Sequence, residues 1–171
     1  MFFGLLRKSN LFADGAKSFD PKRQLTRDCF HVDAQARTLS VMVTWSKNNQ
    51  FKERKQLINL PALTPHPLCP VTAIVQAFQL SSPKTPKAQA FPMTSQNFYS
   101  KLKTLLPESQ QISSHSFRRG GATWALSVGV PGEIIKSLGD WHSTAYLSYL
   151  DQVPQDIIDF YRRKCCAALP V

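Results

Sequence analysis

The chain has 171 residues, enough for one domain with a real core and too few for two large ones. Its 43% hydrophobic content excludes a disordered chain. Lys and Arg number 21 against 11 Asp and Glu, a formal net charge of +10 that favours a polyanionic partner, nucleic acid ahead of an anionic membrane surface, although a merely soluble basic protein carries the same charge.

The apolar opening through Leu11 (Phe2, Phe3, Leu5, Leu6) reads as the end of a helix whose beginning is missing, because no capping segment precedes it. The expectation is a chain that begins inside a larger reading frame. Residues 12–24, with Asp14-Gly15 and Asp20-Pro21, read as a loop. Residues 25–32 (LTRDCFHV) read as a strand and residues 33–37 as a turn. Leu39, Val41, Val43 and Trp45 then alternate with Ser40, Met42 and Thr44 at strand period. Residues 46–50 form a second turn with Asn48 and Asn49 suited to positive φ, and residues 55–60 (KQLINL) a third short strand.

Four prolines at 61, 65, 67 and 70 end this antiparallel meander, and Pro70 opens a helix over 70–80. Residues 81–93 read as a flexible basic loop, and helices follow at about 94–106, 115–128, 131–138, 143–150 and 154–168. Gly129 and Pro131 mark a helix stop and the next start, and Pro154 starts the last helix. The fold class expected is α+β: a mostly helical single domain over 1–171 with a three-stranded β-meander near its N-terminus.

Cys29, Cys69, Cys165 and Cys166 form no C-x-x-C pair and no His lies at metal spacing, so reduced thiols and no zinc site are expected. The opening apolar run stops at Arg7, too short for a signal segment, and no run approaches a membrane helix. An intracellular protein is the expectation. The basic clusters at 52–55 and 162–164 are weak candidates for nuclear import.

Residues 115–121, His-Ser-Phe-Arg-Arg-Gly-Gly, carry the most chemical information. His115 and Arg118 are three apart and share a helix face near its start, where an anion is favoured. An imidazole and a bidentate guanidinium there can hold one phosphate. The helix-disfavouring Gly120 and Gly121 call for a close approach by another segment. A surface His and Arg at a helix cap beside a packing glycine pair reads equally well from this segment alone. Residues 138–150 (LGDWHSTAYLSYL) place Tyr146 and Tyr149 three apart. Both could be amphipathic core residues; as a nucleophile, a tyrosine with a pKa near 10 needs cations such as Arg118 beside it.

Taken together, His-x-x-Arg, an apolar helix and Leu-Gly followed by tyrosines resemble the tyrosine recombinases, or phage integrase family. The spelling HSFRRGGATWA…LGDW…AYLSYL is most similar to recombinases of eukaryotic mobile elements of the DIRS, Ngaro and Crypton kind. In that pattern the nucleophile lies nine residues after the His/Trp position that follows Leu-Gly; here that position is Asp140 and the nucleophile is Tyr149, which leaves Tyr146 to packing. The resemblance also implies a first arginine in Leu-Arg-x-Ser, matched by Leu6-Arg7-Lys8-Ser9, and a hairpin lysine, matched by Lys47 in Thr44-Trp45-Ser46-Lys47. LCPVTAI at 68–74 fits the same group.

Two positions depart from the pattern. Asp140 stands where relatives have His or Trp, so Trp141, by indole N–H or packing, and then His142 are the candidates to replace it. Asn10 stands where many relatives carry an acid and reads as support for the first arginine. Relatives also carry an upstream helical DNA-binding domain, so an N-terminally truncated catalytic domain is implied.

What the resemblance implies is a transesterification needing no cofactor and no metal: Tyr149 as nucleophile, Arg7 and Arg118 holding the phosphate oxygens, His115 assisting, and Lys47 as general acid. Double-stranded DNA is the implied partner, in the nucleus, with Lys84, Lys87, Lys101, Lys103, Arg119 and Lys136 as candidate phosphate contacts. No membrane is implied. The last helix, with Ile157, Ile158, Tyr161, Cys165 and Leu169 at helical spacing, either packs on its own domain or docks on a second subunit. Two other readings share much of this pattern: a type IB topoisomerase-like enzyme, and an inactive, domesticated or relic DNA-binding module.

Overall fold

The computed structural model of the chain describes residues 1–15, 17–46, 55–63, 65–81, 85–106 and 112–149, without the side chains of 145, 148 and 149. Within them the fold is α+β, with one three-stranded antiparallel sheet and five α-helices.

β1 (Phe30–Asp33), β2 (Thr38–Val43) and β3 (Gln56–Pro61) run in the order β1-β2-β3. The registers Phe30↔Val41 and Val41↔Ile58 place β2 in the centre. Leu39, Val41 and Val43 alternate onto one buried face, the period-two pattern of a half-buried sheet. The β1–β2 turn is closed by Asp33, whose Oδ1 accepts the Ala36 N–H at 2.7 Å, and by Arg37 at φ 52°. The strand expected from residue 25 begins only at Phe30, because Arg27–Cys29 form a 3-10 turn. The backbone of that turn and of Leu25 before it instead pairs with residues 86–90: Arg27 N–H to Ala88 O, Asp28 N–H to Pro86 O, and Ala90 N–H to Leu25 O, at 3.0–3.1 Å. The described end of the 81–93 segment is thus pinned rather than flexible.

The opening segment is not helical up to residue 7. α1 spans only Lys8–Leu11, and Leu5 takes a left-handed φ of 48° that no helix accommodates. Leu5 and Leu6 enter two different cores. Leu6 joins the sheet's apolar face, Leu11, Phe12 and Ile74, while Leu5 packs on Ala122 and Ile135. Each such buried side chain contributes about 1.5–3 kcal/mol, so this segment ties the two halves together.

α2 (Pro70–Leu80), α3 (Ser95–Leu105), α4 (Ser114–Ser127) and α5 (Gly132–Leu138) follow. Pro70 occupies the first turn of α2, Thr94 caps α3 by accepting the Asn97 N–H at 3.1 Å, and the Ser113 N–H donates to Ser116 Oγ at 3.1 Å at the start of α4. Gly129, at φ 88°, ends the α4 turn as expected, but Pro131 caps α5 rather than opening it. Thr144–Tyr149 form a 3-10 segment where an α-helix is expected. The expected helix at 154–168 lies outside the described residues.

Candidate active site

The site is assembled from four chain segments that meet at the C-terminal end of α5. Arg118 projects from α4 into the interior and is 3% exposed. Its guanidinium donates to two backbone carbonyls, those of Leu5 and Gly139. Both acceptors come from left-handed turns: Leu5 itself, and the turn in which Asp140 sits at φ 52°. Trp141 closes the remaining face, with the guanidinium carbon 4.1 Å from its ring centroid. A buried cation needs acceptors and a polarisable neighbour, and this cradle supplies both. The Trp141 ring thus packs on the guanidinium and continues onto Tyr146 at 6.1 Å. Tyr146 is buried.

Gly139 and Gly121 are the two glycines the cradle requires. A Cβ at Gly139 would enter the Trp141 ring, and one at Gly121 would strike the Phe2 carbonyl oxygen. Gly121 therefore answers the expected close approach by another segment. Gly120 has no such neighbour, its nearest being a Phe2 ring carbon 3.8 Å from an added Cβ.

Arg7 caps α1 and stays partly exposed, at 20%. Its backbone N–H donates to Asn10 Oδ1 at 3.2 Å, and Asn10 Nδ2 donates to Trp45 O at 2.7 Å. Buried Asn10 thus supports the first arginine and fastens α1 to the sheet hairpin.

Asp140 is 6% exposed and sits among hydroxyl and cationic groups. Ser46 Oγ donates to its Oδ2 at 2.6 Å, Arg7 lies 3.9 Å from the same oxygen, and His142 Nε2 is 3.5 Å from Oδ1. His142 itself is mostly exposed. A second tie joins hairpin and α5, since Gln56 Nε2 donates to the Ser137 and Leu138 carbonyls at 2.9 and 3.0 Å. Ser46 and Gln56 were missed in the sequence. Nothing in their local pattern points to contacts 94 and 81 residues away.

Arg7, Ser46, Arg118 and Asp140 line one small cavity of about 10 Å³, about the room of one water. A roomier cavity of about 260 Å³ under the N-terminal segment is lined by apolar groups such as Phe2, Leu6 and Phe30 and holds none of the candidate residues. Among the described residues no cluster of His, Cys, Asp and Glu could hold a metal ion, and no helix is long and apolar enough to cross a membrane.

The other candidates spread outward. His115 is exposed on the second residue of α4, and Arg119 is exposed on the same helix. Lys101 and Lys103 are exposed on α3, and Lys136 places its ammonium 6.0 Å from the Tyr146 ring. Lys87 pairs with Asp28, which holds the Asp28 carboxyl below its ordinary value and raises the lysine. The backbone of Tyr149 ends the 3-10 segment that follows Trp141. Its side chain, Lys47 and Lys84 lie outside the described residues.

No family model matches the sequence, and no curated protein matches it. Among solved structures the chain is similar to the Tn1549 transposon integrase in complex with circular intermediate DNA, at 14% identity and a TM-score of 0.47. The match covers 94% of this chain and 54% of that one, so the chain spans about half the length of that structure.

Proposed function

We propose that the chain is the catalytic part of a tyrosine recombinase that cleaves and rejoins DNA strands through a 3′-phosphotyrosyl intermediate. The observation that carries this reading is the convergence of Arg7 and Arg118, from segments more than a hundred residues apart, on one cavity. A site for phosphoryl transfer needs two fixed cations aimed at the non-bridging oxygens, because charge develops there in the transition state. Arg118 is held rigidly by its carbonyl cradle, and Arg7 is the more accessible of the two.

In the reaction the Tyr149 phenolate oxygen bonds to the scissile phosphorus, and the bond to the 5′-oxygen of the next nucleotide breaks. Lys47 donates the proton that makes this leaving oxygen a hydroxyl, and His115 serves as proton acceptor or phosphate donor. Ser46 immediately precedes Lys47, so its bond to Asp140 fastens the chain next to that lysine beside the arginines. A 5′-hydroxyl from another strand then attacks the phosphotyrosine and regenerates the tyrosine. Duplex DNA would contact the outer cations Arg119, Lys101, Lys103, Lys136 and Lys84. Kinship with eukaryotic mobile-element recombinases, nuclear placement and self-association through residues 154–168 belong to the same proposal.

A second reading is an inactive DNA-binding module, favoured by Asp140, whose carboxylate stands in the cavity that a phosphate would need. Covalent trapping separates the two. Nicked duplexes incubated with the chain should yield a denaturation-resistant adduct that Tyr149→Phe abolishes while salt-sensitive binding stays within about twofold. Adducts that persist in the Phe variant would remove Tyr149 from the role.

A further inference from the structure

We infer that Asp140 sets which anions the site admits: its carboxylate is an internal anion seated on Arg7 and Ser46, so the site rejects small free anions and opens only to a phosphodiester backbone that makes many contacts at once. This rests on the reading that the cavity receives a phosphate.

The seat is built from several sides. Ser46 donates to Asp140 Oδ2 at 2.6 Å, Arg7 lies 3.9 Å from that oxygen, and His142 Nε2 lies 3.5 Å from the other. The carboxylate is 6% exposed and shares its cavity with the guanidinium of Arg118. A negative group with hydroxyl and cationic partners is what a bound phosphate oxygen would look like there. The cavity left over, about 10 Å³, has room for about one water, much smaller than a phosphate. Entry therefore requires the carboxylate to leave. Its backbone is in the left-handed region at φ 52°, which Asp and Asn tolerate better than most residues, so the position is strained in a way that a small polar side chain sustains.

Displacing the carboxylate breaks the Ser46 bond as well. One inorganic phosphate offers few contacts to offset that loss. A duplex also engages the outer cations, and its many phosphates release counterions as it binds. The same step loosens Ser46, the residue before Lys47.

The test uses the full chain, Asp140→Asn, Ser46→Ala and Arg7→Gln, each checked for fold by circular dichroism. Asn keeps the shape, accepts the Ser46 hydroxyl and suits a left-handed φ. Two quantities are read: affinity for a short duplex by fluorescence anisotropy over a salt series, and the melting shift given by inorganic phosphate at matched ionic strength. The parent should show no phosphate-specific shift. Asp140→Asn should bind the duplex about tenfold more tightly, since the phosphate no longer competes with a carboxylate 3.9 Å from Arg7. It should also gain a phosphate-dependent rise in melting temperature. In an Arg7→Gln background the Asn effect should fall to within about twofold. If Asp140→Asn does not fold, Ser46→Ala decides instead, with a change in the same direction of about threefold. Folded variants that bind duplex no more tightly and gain no phosphate response overturn the inference. The phosphate arm involves neither DNA nor adducts, so a failure of the strand-cleavage reading is seen separately.

Discussion

Arg118 is asked to be both a functional cation and a structural pin, and its removal measures the second role. In Arg118→Ala the carbonyls of Leu5 and Gly139 lose their charged donor in a buried place. Each orphaned acceptor costs about 1–3 kcal/mol. Loss of the stack on Trp141 at 4.1 Å adds about 1–2 kcal/mol. Against this stands the relief of no longer burying a charge, worth several kcal/mol. At the middle of these ranges about 5.5 kcal/mol is lost and about 3 regained, a net loss of about 2–3 kcal/mol. With a urea slope of about 2 kcal/mol/M, the midpoint should fall by about 1–1.5 M. Arg118→Lys keeps the charge but cannot fork between two carbonyls or stack as a plane, so its midpoint should fall in between. Urea titrations followed by tryptophan fluorescence read all three proteins, and the slope should stay constant. A midpoint for the Ala variant within about 0.3 M of the parent would mean the cradle contributes nothing, and the structural account of Arg118 would be wrong.

Gly121→Ala should lose about 2–3 kcal/mol, because its Cβ meets the Phe2 carbonyl oxygen and lies 3.0 Å from Leu5 Cδ2, whereas Gly120→Ala should be neutral or gain up to about 1 kcal/mol of helix propensity. Thermal melts of the pair read the difference, and equal melting temperatures would contradict the packing. The Asp28 carboxyl is held below its ordinary 3.8, first by the Lys87 bond and then by Thr26, so its stabilising effect is complete above about pH 4 and is lost as pH falls through the lowered value. Stability of the parent should therefore decline more steeply below pH 4 than that of Asp28→Asn; parallel acid profiles would remove the pair from that role.

Much of the fold was legible because it rests on local signals. Alternation in 39–43 and Pro70 at the first turn of α2 each act within a few residues. The opening segment was not legible, because Leu5 at positive φ is imposed by distant partners, the Arg118 guanidinium and the cores on either side of Leu5 and Leu6. In the same way, residues 85–90 looked like loop by composition, while their backbone bonds go to residues 25–28. Within the site, Arg118 and Asn10 stood out from motif and position, but Ser46 and Gln56 act across 81 or more residues. Asp140 read only as a departure from the pattern, a misfit, because sequence shows a charge without its neighbours.

Those neighbours change what the misfit means. An aspartate 6% exposed, in a left-handed turn, survives in a fold only if its surroundings hold it. Here Ser46, Arg7 and His142 surround it, and the preceding carbonyl, that of Gly139, faces Arg118. One turn thus presents an acceptor to the buried arginine on one side and a carboxylate to the exposed one on the other. The two arginines differ accordingly. Arg118 is fixed by backbone, which does not leave when a ligand arrives. Arg7 faces a side chain, which can. On the proposed reading an incoming phosphate would compete with Asp140 for Arg7 while Arg118 stays in place, so control over entry would act on the Arg7 side of the cavity.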